Sequence, residues 1–185
     1  QLAGLSSAQL AGFTTTLLAG LASAQLASLS TAQLLGLNST LVNALTTTQV
    51  AALGTAQVAS LTTTLVGGLN STLIAALSTT QVRGFADSQM AALSSTQLNA
   101  LTTTQVAALG TAQVGGLNTT QLRLLTTTQV RSIGSTQVAA LTTTQLSGLT
   151  ITQIAALNGT QVAALSTTQI TALSADQKRE LSWIP

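Results

Sequence analysis

Leu101-Thr102-Thr103-Thr104-Gln105-Val106-Ala107-Ala108 is the unit on which this chain is built. Counted from Leu5, the same eight-residue pattern recurs to the end of the 185 residues without an insertion or deletion. Across the 22 octads that open between Leu5 and Leu173, position 1 is always apolar, and it is Leu everywhere except Phe13, Phe85 and Ile133. Position 2 is Ser, Thr, Asn or Gly except at Ala22 and Ala86; position 5 is Gln in 18 octads and Leu in four; position 6 is apolar except at Lys178. A fixed short period means one supersecondary unit copied along a line and stacked on its neighbours.

The octad reads as a helix start. Ser, Thr, Asn and Gly are the preferred N-cap residues, because a side-chain oxygen, or glycine's freedom, accommodates the unpaired amides of a first turn. Gln three residues on completes a capping box: the cap hydroxyl accepts from the N3 amide, and the N3 side chain reaches back to the cap N–H. Leu101 and Val106 then occupy the positions flanking the cap and first turn, where two apolar residues form a hydrophobic staple. Only two small residues separate Val106 from the next Leu, so each helix holds about six residues, under two turns at 3.6 per turn. Gly before the apolar position, as at Gly12, Gly20, Gly36, Gly68, Gly84, Gly116 and Gly148, is expected to ease the break through dihedrals that other residues avoid.

The resulting fold class is all-α, a solenoid of very short capped helices with one helix per octad. A continuous helix is excluded, because eight residues overshoot two turns by roughly 80° and the Leu positions would wind round the whole surface. A straight strand cannot bury Leu101 and Val106 together, since their parity is opposite. A β-solenoid with two octads per coil, turning a corner between them, is the alternative, favoured by Thr and Val propensity and by Gly68-Leu69-Asn70 turns. A single octad buries too little apolar surface to order itself, so units must stack.

Longer order is superimposed on the octad. Leu replaces Gln at Leu17, Leu41 and Leu65, three octads apart, and again out of step at Leu73. Gly67-Gly68-Leu69-Asn70 recurs six octads on as Gly115-Gly116-Leu117-Asn118, and Arg83, Arg131 and Arg179 share that spacing, with Arg123 outside it. Three octads per superhelical turn accounts for these sets, and so does duplication of a 48-residue block. The domain division expected is an octad solenoid over 1–176 and a decayed terminal unit or cap over 177–185, where Lys178 replaces the staple residue and Trp183-Ile184-Pro185 follows.

Composition excludes several classes. Only 4% of residues are charged, whereas 45% are apolar, so the chain is not disordered by charge and hydrophilicity. Five cations against three anions give a net charge of +2, spread along the array, and the aromatics are Phe13, Phe85 and Trp183. Nucleic-acid binding needs clustered Lys/Arg and stacking platforms, so no nucleic-acid partner is expected. Mean hydropathy is +0.50, yet Thr, Ser and Gln interrupt every octad before an apolar run reaches about 18 residues, so no membrane span is expected. The chain opens at Gln1 in mid-octad with neither Met nor a leader-like segment, which reads as a fragment or processed product.

Reactive chemistry is scarce. His, Cys and Tyr are absent, and the carboxylates are Asp87, Asp176 and Glu180, so the usual general bases, thiolates and imidazole ligands are missing. No catalytic, cofactor-binding or metal-ligating residue is assigned, no cofactor is expected, and the chain is read as not an enzyme. Asp176, Lys178, Arg179 and Glu180 read as a solvated end of the array. Asn-x-Thr occurs at Asn38, Asn70, Asn118 and Asn158; Asn as cap in a Thr-rich octad produces the glycosylation pattern automatically. Thr triplets such as Thr46–Thr48, Thr62–Thr64 and Thr142–Thr144 leave ice or glycan contact as an alternative activity.

The runs at 45–52, 101–108 and, in a Leu variant, 141–146 resemble octad arrays in very large secreted or surface-attached bacterial proteins of adhesin-like kind. The resemblance covers essentially residues 1–176. It implies an extracellular or cell-surface setting and a spacer, stalk or self-assembling filament role, with adhesion residing in other domains. The Gly- and Asp-rich calcium repeats of many secreted proteins are absent. Self-association, end to end or lateral, is the partner expected of a nearly uncharged repeat surface.

Overall fold

The computed structural model describes residues 2–182. Among them are 22 α-helices of four to seven residues, one 3-10 turn at Leu2–Gly4, and no strand. The fold is the all-α solenoid, one helix per octad, and the two-octad β-coil is overturned. The physical reason is local: the octad gives its polar side chains to helix caps, leaving no extended stretch longer than two residues. The chain forms two compact units, Gln1–Ala100 and Leu101–Pro185.

One octad shows how the backbone turns. Thr46 is extended (φ −79°, ψ 159°) and its hydroxyl accepts from the Gln49 N–H at 3.2 Å, while the Gln49 Oε1 accepts from the Thr46 N–H at 2.8 Å. Thr47–Ala51 is helical, and Ala52 ends it in an ordinary right-handed conformation (φ −81°, ψ −12°). Positions 1 and 2 then form a two-residue extended step, as at Leu61 (φ −61°, ψ 138°) and Thr62 (φ −66°, ψ 158°). Ala22, Ala86, Gly54, Gly110 and Gly134 lack a cap hydroxyl, but their N–H groups still donate to the Gln three residues on.

The glycines do something different from what their place in the sequence suggests. No residue in the described chain, glycine included, has a positive φ, and Gly84 ends its helix at φ −76°, ψ −11°, much as Ala52 does. What Gly supplies is room. A Cβ on Gly36 would stand 2.0 Å from the Ser7 carbonyl oxygen, and one on Gly84 would stand 2.5 Å from the Thr55 Cγ2. These partners lie 29 residues earlier, so position 8 of one octad rests on position 3 of the octad three before it.

That spacing defines the coil. Within each unit, helices three octads apart pack together: Thr47–Ala51 on Ser71–Ala76, Thr103–Ala108 on Thr127–Ser132, Ile151–Ala155 on Ala175–Leu181. Twenty-four residues therefore complete one turn, which gives the interval between Leu17, Leu41 and Leu65 a structural meaning. Position 1 and position 6 fill the interior, as with Leu45, Val50, Leu53 and Val58 in one unit and Leu141, Leu146, Leu149 and Ile154 in the other. Two turns of the array show which way each position points. Gln9, Leu17 and Gln25 are exposed, Leu17 at 51%, while Leu10, Leu18 and Leu26 are fully buried. At the other extreme Gln161, Gln169 and Gln177 are buried, whereas Ile170 and Lys178 are exposed. Position 5 thus faces the preceding coil and position 6 the following one.

Candidate functional site

The residue on which this architecture turns is the position-5 glutamine, and its two amide ends do separate jobs. In Gln81 the Oε1 accepts from the Ser78 N–H at 2.7 Å, closing the capping box of its own helix. Its Nε2 donates to the Val50 carbonyl at 2.9 Å and the Leu53 carbonyl at 2.7 Å in the coil beneath. The same pair of bonds recurs from Gln49 to Leu18 and Leu21, from Gln97 to Val66 and Leu69, and from Gln161 to Val130 and Ile133, at 2.6 to 3.0 Å.

One acceptor, the position-1 carbonyl, lies in the extended step after the helix; the other, at position 6 in the last turn, already accepts from the position-1 N–H, as Val50 does from Leu53 at 3.2 Å, and takes the amide on its second lone pair. One side chain therefore caps two helices, its own at the start and another at the end. Gln81 is 2% exposed and Gln161 1%, and burying an amide costs free energy unless its hydrogen bonds are made. Here they are: among the described residues no buried side-chain nitrogen or oxygen lacks a partner. Glutamate would complete the capping box equally well, but as a carboxylate it has no proton to give the carbonyls below. None of the 22 octads carries Glu at position 5.

The charged side chains lie apart from this ladder. Asp87 is exposed at the first position of the helix Asp87–Ala91, where a negative charge suits the helix dipole. Arg83, Arg123 and Arg131 are exposed in the last turns of their helices, the end that favours cations. Asp176 pairs with Arg179 at 2.9 Å with both side chains more than half exposed, and the Lys178 Nζ donates to the Thr171 carbonyl at 2.9 Å. The terminal octad still folds as the others do. Ser174 and Gln177 form a capping box on Ala175–Leu181, and the Gln177 Nε2 donates to the Leu149 carbonyl at 2.7 Å. Trp183-Ile184-Pro185 lie outside the described residues.

Asn38, Asn70, Asn118 and Asn158 are all N-caps, with Oδ1 accepting from the N3 amide at 2.9 to 3.0 Å. Position-2 hydroxyls are engaged in the same way, whereas those at positions 3 and 4 are turned outward: Thr47, Thr48, Thr63, Thr64, Thr127 and Thr128 are all exposed. A shallow groove between two coils is lined by Thr143, Thr167, Thr168, Thr171 and Ala172. Inside the first unit a void of about 10 Å³ is lined solely by apolar side chains such as Leu34, Val42, Val50 and Val58, so it has no partner to offer a water. No group of three or more His, Cys, Asp or Glu among the described residues is placed to hold a metal ion, and no helix is long and apolar enough to cross a membrane.

Chemistry and geometry together define a class: a helical repeat protein whose conspicuous polar residues serve the stacking of its own coils. The ALTTAQ repeat family matches residues 31–63, 66–103, 90–127 and 114–151, and the chain belongs to that family. Ala44-Leu45-Thr46-Thr47-Thr48-Gln49 departs from the family's hexapeptide name only at Thr48, an exposed first-turn position whose side chain caps nothing. No curated protein matches the chain.

Proposed function

We propose that this array is a non-catalytic structural segment, a spacer or stalk in an extracellular or cell-surface adhesin-like protein, or the subunit of a filament. The observation that supports it most is the glutamine ladder. Within each unit the glutamine-bearing octads that have a coil beneath them repeat one pair of bonds to it, so three further octads add one further turn without any new interaction. An architecture that can be extended by copying suits a part whose task is span. Weak surface charge supports self-association, because like-charge repulsion is small.

Small-angle scattering on the 185-residue chain and on versions carrying one, two or three additional 24-residue coils tests the spacer reading. A maximum dimension that grows by a constant step with each coil supports it, and a dimension that does not grow contradicts it. Sedimentation at rising concentration tests the filament form, which predicts particles of increasing mass.

The outward Thr side chains at positions 3 and 4 support a second reading, contact with ice or glycans through a repeated hydroxyl surface. Thermal hysteresis or saturable glycan-array binding by the isolated chain would favour it over an inert spacer, and neither is expected of a spacer.

A further inference from the structure

The glutamine ladder has a weakness that its regularity creates. Gln81 reaches the carbonyls at positions 6 and 1 of the octads below it, Val50 and Leu53; every octad offers the same two carbonyls from the same residue types. If one octad were looped out, the coils above would slide by eight residues and each Gln would find equivalent acceptors. The ladder holds coils together but does not say which coil belongs on which, just as a strand without a distinctive face has a poorly specified register.

One place in the first unit is distinctive. Leu73 occupies position 5, where a Gln would accept from the cap N–H of Asn70. That N–H instead donates, at 2.7 Å, to the Oδ1 of Asn43, 27 residues earlier in the coil beneath. The Nδ2 of Asn43 donates in turn to the Gly68 carbonyl. Asn43 thus does from below what the missing glutamine would do from within the octad. Leu65 and Leu41 have no such stand-in, since the residue 27 before Thr62 is Leu35 and the one 27 before Asn38 is Ala11, neither with a side chain that can accept; the octad of Leu17 has no coil beneath it. Slid by one looped-out octad, Asn43 would face Ser78, whose N–H already donates to the Gln81 Oε1 at 2.7 Å.

We propose that Asn43 and Leu73 form a register pin: a vacancy in the ladder on one coil and an amide on the coil beneath that meets it in the native alignment and not after a one-octad loop-out, so that looping out an octad between them is penalised. This is the same logic by which one polar residue fixes alignment in an otherwise uniform apolar seam. Asn43 acts as a positioning residue, and the pair makes one alignment better than its neighbour rather than making the fold stronger overall.

The test separates register from stability. The chain has no cysteine, so introduced pairs report alignment. Thr47→Cys with Ala76→Cys joins positions 3 and 8 in the native alignment, by equivalence with Ser39 and Gly68, where a Cβ on Gly68 would stand 2.7 Å from the Ser39 Cβ. Thr47→Cys with Gly84→Cys joins the same positions after a one-octad loop-out. Each pair is placed in the native background and in Asn43→Ala/Leu73→Gln, which fills the Leu73 vacancy with a glutamine and keeps the Asn70 cap N–H paired. After unfolding and oxidative refolding, the native background is expected to form the 47–76 disulfide almost alone. The double variant, folded and of similar melting temperature, is expected to show roughly a tenfold rise in the 47–84 product, the factor given by one discriminating hydrogen bond. Equal 47–84 yields in the two backgrounds would overturn the pin. So would substantial 47–84 product in the native background. Asn43→Ala alone, which leaves Asn70 unpaired, serves as a check on stability: it should melt lower than the double variant, and the reverse order would also overturn the proposal.

Discussion

The Gln81 Nε2 donates to the Leu53 carbonyl at 2.7 Å, across 28 residues of sequence, while the Oε1 of the same side chain closes a capping box three residues away. A local signal and a long-range contact are thus carried by one amide. Substitutions at this position should therefore rank by what they leave unpaired. Gln81→Leu keeps the volume and follows the natural Leu41, Leu65 and Leu73; it is expected to cost about 1–3 kcal/mol from unpaired groups. Gln81→Ala adds a cavity and should cost about 2–5 kcal/mol. Denaturant melts of the two variants check the order.

Gln81→Glu should make stability depend on pH. Buried beside two carbonyl oxygens, the introduced carboxyl is pushed above its unfolded value of about 4.3. A group whose folded value is raised binds protons more readily in the native state, so stability falls as pH rises through that range and is regained as pH drops towards the unfolded value. Melting temperatures between pH 4 and pH 8 should therefore decline for Gln81→Glu relative to the native chain. A flat difference across that range contradicts the buried position.

Cap and surface threonines should part company. Thr46 accepts from the Gln49 N–H at 3.2 Å, whereas Thr48 beside it is exposed and caps nothing. Thr46→Ala is expected to lower stability by about 1 kcal/mol, and Thr48→Ala to leave it within about 0.5 kcal/mol, as chemical denaturation would show.

Two glycines at the same octad position should respond oppositely to alanine. A Cβ on Gly12 meets only the Gln9 carbonyl of its own helix at 3.4 Å, but one on Gly36 would lie 2.0 Å from the Ser7 carbonyl. Gly12→Ala should be neutral or stabilising by up to about 1 kcal/mol through reduced unfolded-state entropy. Gly36→Ala should destabilise by about 1–3 kcal/mol through overpacking. Calorimetry of the pair separates close approach from backbone freedom as the reason for glycine.

That last contrast marks where reading the sequence reaches and where it stops. The cap, box and staple of Leu45-Thr46-Thr47-Thr48-Gln49-Val50 are local, within six residues, and the helix start was legible from residue types alone. The reason for Gly36 was not, because its neighbour Ser7 lies 29 residues away and nothing in a local window places them together. The donor end of Gln49 was hidden for the same reason, since the capping box uses only its acceptor end. A signal did exist: a box that accepts Glu or Gln yet never shows Glu implies a second demand on the side chain. The three-octad turn was one of two readings of Leu17, Leu41 and Leu65, and only the packing of helices 24 residues apart gives it a structural basis. The role of Asn43 was hidden too, because it answers a vacancy at Leu73 in another coil.

Within each unit a position-5 glutamine with a coil beneath it spans from its own helix to that coil, three octads down, and side-chain amide NOEs test this most directly. On selectively labelled protein, the Nε2 protons of Gln49 are expected to show contacts to Leu18 and Leu21, and those of Gln81 to Val50 and Leu53, 31 and 28 residues earlier in each case. Contacts instead to residues 20 and 23 back, as a two-octad coil would place them, or amide protons exchanging freely with water, would contradict the account.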